Sequence, residues 1–297
     1  MEGSMKNLNI VKYLRQFAIG LSMGAADLVP GVSGGTVAFI SGIYEDLLGS
    51  IATVTSEVPQ LALKGKIKEA WEKIPFGFLV PLAFGMATSI LLLSHTLEML
   101  LEKQPVLIWS FFFGLVLSSI FIVRKTVKKW NAKLYLSMVI GAIATYIVVG
   151  MVPVMTPATP LAFFLSGMVA ICAMILPGIS GSFLLVIMGK YEQVLAAVND
   201  RDFLTVIYVG FGAIFGLVLF SRLLKFLLKN YHNVTIAALV GVLIGSLRKV
   251  WPWKIAATQQ NLIPEFSIEL LAAIFLMVLG AIVVTGITKL GSRARQS

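Results

Sequence analysis

The sequence predicts an all-α polytopic membrane protein. It is expected to form an inverted repeat of two five-segment units, each a re-entrant helical hairpin followed by three transmembrane helices. Three observations lead to this prediction: the composition, a motif that occurs twice, and the distribution of basic residues. Of the 297 residues 58% are hydrophobic and 13% are charged, and the mean hydropathy is +0.92. So small a polar fraction cannot cover a soluble globule, and the long apolar runs favour membrane helices over alternating β-strands.

The repeated motif reads LVPGVSGGTVAFISGIYE at 28–45 and ILPGISGSFLLVIMGKYE at 175–192. A repeat of this kind indicates two copies of one structural unit. A shift of 147 positions aligns identical residues, which in the first copy are Pro30, Gly31, Ser33, Gly34, Ile40, Gly42, Tyr44 and Glu45.

In the first unit we expect a helix over 13–26, a break at Pro30-Gly31 and a second helix over 33–54. Adjacent Pro and Gly stop a helix, and the small polar residues that follow them cap the next one. A charged connection and three spanning helices at 76–94, 106–123 and 134–152 come next. The uncharged, Pro-rich link at 152–160 marks the boundary between a first repeat at 1–153 and a second at 154–297.

The second unit repeats this plan. Helices over 161–176 and 180–198 flank Pro177-Gly178, and spanning helices follow at 203–223, 234–247 and 267–288. Five segments are an odd number, so the second unit enters the membrane from the opposite side, whether each hairpin is re-entrant or spans. The short segment before each break favours a re-entrant hairpin, whose turn must be buried in protein. We call these turns the first elbow (28–36) and the second elbow (175–183).

The basic residues predict the orientation of the helices, because cytoplasmic loops are enriched in Lys and Arg. With the N-terminus inside, most of the 24 Lys and Arg residues fall in cytoplasmic segments. Both termini are therefore predicted to be cytoplasmic. The basic residues assigned to the outside are Lys103, Arg201, Arg248, Lys249 and Lys254, while Lys190 lies in the second motif.

Several function classes are excluded at this stage. The net charge of +10 follows from the loop residues that orient the helices, and no nucleic-acid-binding module is visible. The single cysteine, Cys172, excludes a disulfide framework and a multi-cysteine metal site. We therefore predict no nucleic-acid partner, no metal, no cofactor and no catalytic residue.

Two elbows that face each other predict a binding site for an anion such as a phosphate or a carboxylate. The helix N-termini would present unpaired N–H groups, and the glycines would let the anion approach the backbone. In the competing interpretation, the glycines only permit close helix packing. The predicted substrate-binding residues are Pro30, Gly31, Ser33, Gly34, Gly35 and Thr36, with Pro177, Gly178, Ser180, Gly181 and Ser182.

Few ionisable residues fall inside the predicted membrane segments, and such residues often mark ion pathways. We assign proton coupling or gating first to Asp27 and then to Glu45 and Glu192. The two glutamates also suit an interfacial position, about 17 Å from the start of a straight helix. Arg15 and Lys190 are candidate counter-charges for a phosphate.

PGVSGG followed by SGIYEDLL, repeated as PGISGS followed by MGKYEQVL, resembles the bacterial polyprenyl-phosphate transporters of the PopT type over essentially the whole chain. The resemblance implies a multi-pass transporter of the bacterial cytoplasmic membrane rather than an enzyme. Its implied substrate is undecaprenyl phosphate, the lipid carrier of cell-wall precursors, moved from the outer to the inner leaflet for reuse. Proton coupling is a hypothesis at this stage. The implied partners are this lipid and the surrounding membrane lipids, with no oligomeric state indicated.

Two alternatives stay open. The segment LPGISGS at 176–182 is similar to the P-G-x-S-R-S element of bacterial undecaprenyl-pyrophosphate phosphatases, but Gly181 stands in the place of the arginine. The first motif also lacks the acidic pair expected of a catalytic site, so a pyrophosphate would have no fixed counter-charge. An ion-coupled transporter of a small soluble anion would share the fold. Without the resemblance, the residues predict only a transporter of a small anion or an anionic lipid.

Overall fold

The computed structural model describes residues 2–29, 32–255 and 260–293. Within these ranges the chain is helical, without a β-strand, so the all-α prediction is confirmed for the described residues. The helices are α1 (Glu2–Asp27), α2 (Gly34–Ile40), α3 (Tyr44–Ala52), α4 (Val58–Leu63), α5 (Ile67–Lys73), α6 (Phe76–Lys103), α7 (Pro105–Arg124), α8 (Ala132–Val148), α9 (Pro160–Ile175), α10 (Gly181–Ile187), α11 (Tyr191–Asn199), α12 (Phe203–Asn230), α13 (His232–Val250) and α14 (Ile268–Arg293).

The length and apolarity of these helices fit a multi-pass membrane protein. Among the described residues, 5 helices are long and apolar enough to cross a membrane, or up to 7 if each of two bent helix pairs counts as one span. The helices α8 and α9 are apolar but shorter. Large apolar side chains such as Phe84, Phe211 and Phe275 are exposed on the outward faces of α6, α12 and α14, as expected of surfaces that contact lipid.

Local sequence explains where several helices begin. The Asn131 side chain accepts the Leu134 N–H at the start of α8, and the Thr159 hydroxyl accepts the Ala162 N–H at the start of α9. In α9 a proline also occupies the first turn, where its missing N–H costs nothing. The predicted starts of these two helices are therefore set by ordinary N-caps.

The predicted continuous helices over 33–54 and 180–198 are wrong. Each is divided by a short turn into two helices, which meet at 118° in the first unit and at 105° in the second. Gly42 and Gly189 occupy these turns with φ of 72° and 62°. A right-handed helix cannot continue through a left-handed residue, and glycine adopts this conformation without strain. The two glycines occupy equivalent positions of the repeated motif, so the sequence did contain an indication of the two bends.

The charged connection of the first unit contains helices of its own. It holds a π-helical turn at Thr53–Glu57 and the helices α4 and α5. An ion pair of 2.7 Å between Lys73 and Glu57 links its two ends. The second unit has no such insertion, because α11 is followed directly by α12.

The helix that leads into each elbow runs parallel to the first long helix after it. Gly20 of α1 lies against Leu82 of α6, and Gly24, one turn later, lies against Met86. The helices α9 and α12 form the equivalent parallel pair. The chain between α1 and α6 must therefore return to the end of the bundle at which α1 begins. Since Met86 is near the middle of α6, the first elbow lies about halfway along that helix.

Two further parallel pairs join the first half of the chain to the second. Gly114 of α7 lies against Met277 of α14, and one turn later the Ser118 hydroxyl is 3.4 Å from the Ala281 carbonyl oxygen. The helices α8 and α13 form the matching pair. The core lies between α2, α7 and α13, and it includes the buried residues Val37, Val116 and Val240. The two halves thus share one core rather than folding as separate domains.

Candidate functional site

The two copies of the motif contact each other inside the bundle. The Gly178 N–H donates to Thr36 Oγ1 at 2.9 Å. Ser33 Oγ lies 3.2 Å from the Met174 carbonyl oxygen and 3.1 Å from that of Leu176. The structure therefore brings the predicted binding residues of the two elbows together. Pro30 and Gly31, which belong to the predicted set, lie outside the described residues.

In the first elbow, the chain itself supplies an acceptor for each N–H group at the start of α2. Asp27 Oδ1 accepts the Gly34 N–H at 2.6 Å, and Ser33 Oγ accepts the Gly35 N–H at 3.0 Å. The Thr36 N–H donates to the Ser33 carbonyl at 2.9 Å. A helix N-terminus favours a negatively charged group such as a carboxylate. The place predicted for a bound anion is thus filled by the side chain of Asp27.

The second elbow lacks this internal anion. Met174 is the counterpart of Asp27, and a Cβ added to Gly181 would lie 2.6 Å from Met174 Cγ, so the thioether covers this glycine. No described side chain caps α10, and the N–H groups of Gly181 and Ser182 have no acceptor among the described residues. The hydroxyls of Ser180 and Ser182 instead lie 2.7 Å apart and bond to each other. The second elbow therefore has polar donors that no described side chain of the protein caps.

Helix α13 forms one wall of the second elbow. Gly178 has a φ of 86°, and an added Cβ would lie 2.7 Å from the Ser246 hydroxyl oxygen. Both the backbone conformation and the close approach of α13 therefore require glycine at this position. Ser246 is buried, and its hydroxyl donates to the Leu243 carbonyl at 2.8 Å.

Neither candidate counter-charge lies at an elbow. Arg15 Nη2 donates to the Ser41 carbonyl at 3.3 Å, next to the bend between α2 and α3. It is 12 positions before Asp27, or about 18 Å along α1. Arg15 Nε and the buried Ser41 hydroxyl have no hydrogen-bond partner among the described residues. This pair of polar groups is therefore a second polar region, at the far end of α2 from the elbows.

Lys190 is fully buried at the bend between α10 and α11. Its ammonium donates to the carbonyls of Thr156 and Pro157 at 3.1 and 2.8 Å, and to Gln193 Oε1 at 2.9 Å. These three bonds use all three N–H groups of the ammonium. Lys190 thus anchors the Pro-rich link between the halves to the second hairpin.

The two motif glutamates lie beyond the bends, on exposed surface. Glu45 Oε1 is 3.2 Å from His232 Nε2, and Glu192 is exposed at the start of α11. The expected separation of about 17 Å along a straight helix is wrong for both, because the chain changes direction between each elbow and its glutamate. Among the residues that the structure describes, no three His, Cys, Asp or Glu side chains lie close enough to hold a metal ion.

The sequence analysis missed a pair of lysines at the end of α13, where it saw only loop charges. Lys249 Nζ lies 4.2 Å from the centre of the Phe183 ring in α10. Lys254 Nζ lies 5.3 Å from the centre of the Trp109 ring and donates to the Lys249 carbonyl. Burial and the nearby charge of Lys249 lower the pKa of Lys254 to about 8. The rings that these lysines contact, Phe183 and Trp109, lie far away in the sequence, so no local signal was available.

Comparisons with known proteins agree on one family. The family described as VCA0040-like, undecaprenyl phosphate translocase-like, matches residues 23–267. The chain is 41% identical to a polyprenyl-phosphate transporter of Vibrio cholerae serotype O1 over 244 residues, which cover 82% of this chain and 79% of that protein. It is 33% identical to a polyprenyl-phosphate transporter of Staphylococcus aureus over 266 residues, covering 83% and 87%. No solved structure matches.

Proposed function

We propose a function from one premise: this chain belongs to the VCA0040-like family of undecaprenyl phosphate translocase-like proteins. Both relatives are named as polyprenyl-phosphate transporters, and this chain is a membrane transporter of polyprenyl phosphate. Our proposal adds the particular lipid, the membrane and the direction. The protein moves undecaprenyl phosphate from the outer to the inner leaflet of the bacterial cytoplasmic membrane, so that the carrier lipid is used again.

The observation that carries this proposal is the difference between the two elbows. The second elbow offers the hydroxyls of Ser180 and Ser182 and the adjoining N–H groups, and no described side chain caps them. Hydroxyl and N–H donors beside glycine are the groups that hold a phosphate in proteins. The phosphate headgroup therefore binds at the second elbow before it reaches the first elbow, while the prenyl tail stays in the surrounding lipid.

An inverted repeat gives these elbows access from opposite leaflets. The helix pairs support this arrangement, because α6 and α1 run one way while their counterparts α12 and α9 run the other. The short connections from α6 to α7 and from α7 to α8 each reverse the direction of the chain, so α8 runs the same way as α6. The helix α13 is parallel to α8, and α12 runs opposite to α13 because a short connection joins them. With both termini in the cytoplasm, the second hairpin enters from the outside and the first from the inside.

Asp27 couples this movement to protons. Its carboxylate holds the Gly34 N–H at 2.6 Å and so occupies the first elbow as a bound phosphate would. Protonation of Asp27 removes its charge and weakens this bond, so the first elbow opens for the phosphate. Glu45, paired with His232, and Glu192 act as secondary gating groups at the membrane surface. Arg15, at the inner end of α2, is the counter-charge on the release side.

Reconstitution tests the central claim. We expect purified protein in liposomes to move labelled undecaprenyl phosphate between leaflets faster than protein-free liposomes, and to leave the neutral polyprenol unmoved. A matched protein control is the double variant Ser180→Ala, Ser182→Ala, which removes both hydroxyls of the second elbow and is expected to transport more slowly. Equal rates with and without protein would refute the function, and phosphate release from undecaprenyl pyrophosphate would favour the phosphatase alternative instead.

The variant Asp27→Asn tests proton coupling. We expect slower uptake of undecaprenyl phosphate and a flatter dependence of the rate on pH, because the amide cannot exchange a proton. Asp46→Asn, which neutralises an exposed carboxylate of α3, is the control and is expected to keep the wild-type profile. A wild-type pH profile in Asp27→Asn would remove Asp27 from the coupling mechanism.

A further inference from the structure

Two lysines at the end of α13 form a cationic cluster that the site described above does not include. Lys249 lies over the ring of Phe183, and Lys254 lies over the ring of Trp109. We call these four residues the outer cluster, since the loop charges assign this end of the bundle to the outside. The two lysines are close enough for the charge of Lys249 to lower the pKa of Lys254.

No acidic side chain balances this charge within the described part of the chain. The ion pairs found there join Lys66 to Glu69, Lys73 to Glu57 and His232 to Glu45, all away from the outer cluster. The Lys254 ammonium binds the carbonyl of Lys249 at the C-terminus of α13, which is a favourable place for a cation. The Lys249 ammonium has no acceptor among the described residues, so a structural capping role explains Lys254 but not Lys249.

Lys249 lies close to the second elbow, through neighbouring residues on two helices, α13 and α10. On α13 it lies one turn after Ser246, whose hydroxyl faces Gly178. On α10 its contact residue Phe183 follows Ser182 directly. The ammonium therefore stands between the outer end of the bundle and the hydroxyls of the elbow. A partly buried cation there offers an incoming anion a strong electrostatic contact, because the surroundings screen charge less than water does.

We propose that the Lys249 ammonium receives the phosphate group of the substrate at the outer end and delivers it to the Ser180–Ser182 elbow. This proposal rests on the function proposed above and identifies its first headgroup contact. Lys254 adds a weaker attraction, since its ammonium already binds a carbonyl. The aromatic rings keep the two cations apart from bulk water without neutralising them.

The opposite half has no equivalent cation. A shift of 127 positions aligns Ser119 with Ser246, and it places Ile122 opposite Lys249. The position that carries Lys249 in the second half is therefore apolar in the first half. A phosphate is held more strongly on the outer side, which favours capture from the outer leaflet.

Chemical replacement of the charge tests this role. In a Cys172→Ala background, Lys249→Cys removes the ammonium and leaves a single thiol for modification. The measurement is the binding of farnesyl phosphate to the purified full-length chain. Farnesol and inorganic phosphate are measured in parallel, so that a site for prenyl phosphate is distinguished from a site for free phosphate. Lys103→Cys, an exposed lysine at the same end, is the matched control.

We expect Lys249→Cys to weaken farnesyl phosphate binding at least about tenfold, the usual effect of losing a hydrogen bond to a charged group. An aminoethyl methanethiosulfonate reagent, which restores an ammonium, should restore binding, whereas the neutral methyl reagent should not. Thermal unfolding of both variants should match the parent, so that a loss of binding is not a loss of fold.

The outcomes separate this inference from the proposed function. If the parent protein transports undecaprenyl phosphate and Lys249→Cys binds as well as Lys103→Cys, the role of Lys249 is refuted and the function stands. If binding is lost but is restored equally by the neutral reagent, size rather than charge matters and the inference is again refuted. If the parent neither binds nor transports a prenyl phosphate, the proposed function fails.

Discussion

The two elbows carry the same motif but are built differently. In the first, the Asp27 carboxylate accepts the Gly34 N–H, whereas in the second the apolar Met174 covers Gly181. Ser33 caps its own helix and reaches the end of α9, while the Ser180 hydroxyl bonds, among the described residues, to the neighbouring Ser182. Identical motif residues thus take different roles because the residues beside them differ. The first elbow is closed by the protein's own carboxylate, and no described side chain takes that place in the second.

The repeated tyrosine shows the same difference. Tyr44 is 2% exposed, and its hydroxyl donates to the Ile175 carbonyl at 3.0 Å, which fixes the first hairpin to the end of α9. Its counterpart Tyr191 is 43% exposed. At the bends, Ile43 is buried among apolar residues, whereas its counterpart Lys190 is bonded to the Pro-rich link. The first hairpin belongs to the main core, and the second is attached by fewer and more polar contacts.

The largest expected effect comes from making the second elbow resemble the first. Met174→Asp should place a carboxylate over the N–H groups of Gly181 and Ser182. An internal anion there competes with the phosphate and repels it, so we expect the transport rate to fall at least about tenfold, in line with the loss of a charge-assisted contact. The measurement is leaflet exchange of labelled undecaprenyl phosphate in proteoliposomes.

Met174→Leu is the control for this change, because it keeps the apolar volume and introduces no charge. It should transport at a rate close to that of the parent. If Met174→Asp transports as fast as Met174→Leu, the proposed difference between the elbows in their capacity to accept an anion is wrong.

The next effect concerns the bends. Lys190→Met removes a buried ammonium that bonds to three partly exposed or exposed acceptors, and we expect the free energy of unfolding to fall by about 1.5 to 3 kcal/mol. The matched change in the first hairpin, Ile43→Val, removes one methylene group and should cost about 0.5 to 1.5 kcal/mol. Denaturant unfolding in detergent compares them. Equal losses would mean that the bonds of Lys190 add nothing beyond packing.

The smallest effect is expected at the tyrosines. Tyr44→Phe removes the donor to a buried carbonyl and should lower the free energy of unfolding by about 1 to 2 kcal/mol. Tyr191→Phe changes an exposed side chain and should stay within about 0.5 kcal/mol of the parent. The same unfolding measurement applies to both. A larger loss in Tyr191→Phe would contradict the view that the second hairpin is the more loosely held.

Much of the fold was predictable from the sequence, because the helix class and the breaks before Ser33 and Ser180 follow from composition and from Pro-Gly pairs. The bends at Gly42 and Gly189 were missed although both glycines are identical positions of the repeat, because a glycine within an apolar run does not by itself reveal a positive φ angle. The difference between the elbows was missed for another reason. A repeat is found through its identical positions, so a difference between the copies, such as Met174 for Asp27, is easily overlooked. The position of Lys249 beside α10 depends on tertiary packing and has no local signal.

The parallel pair of α7 and α14 has a consequence for how the protein is made. The α7 surface around Gly114, which Met277 covers in the finished protein, belongs to a helix that leaves the ribosome early. Its partner α14 follows every other described helix in the chain. During synthesis, α7 is therefore in the membrane without α14 while α8 to α13 are inserted. Assembly of the shared core can finish only after the last of these helices has emerged.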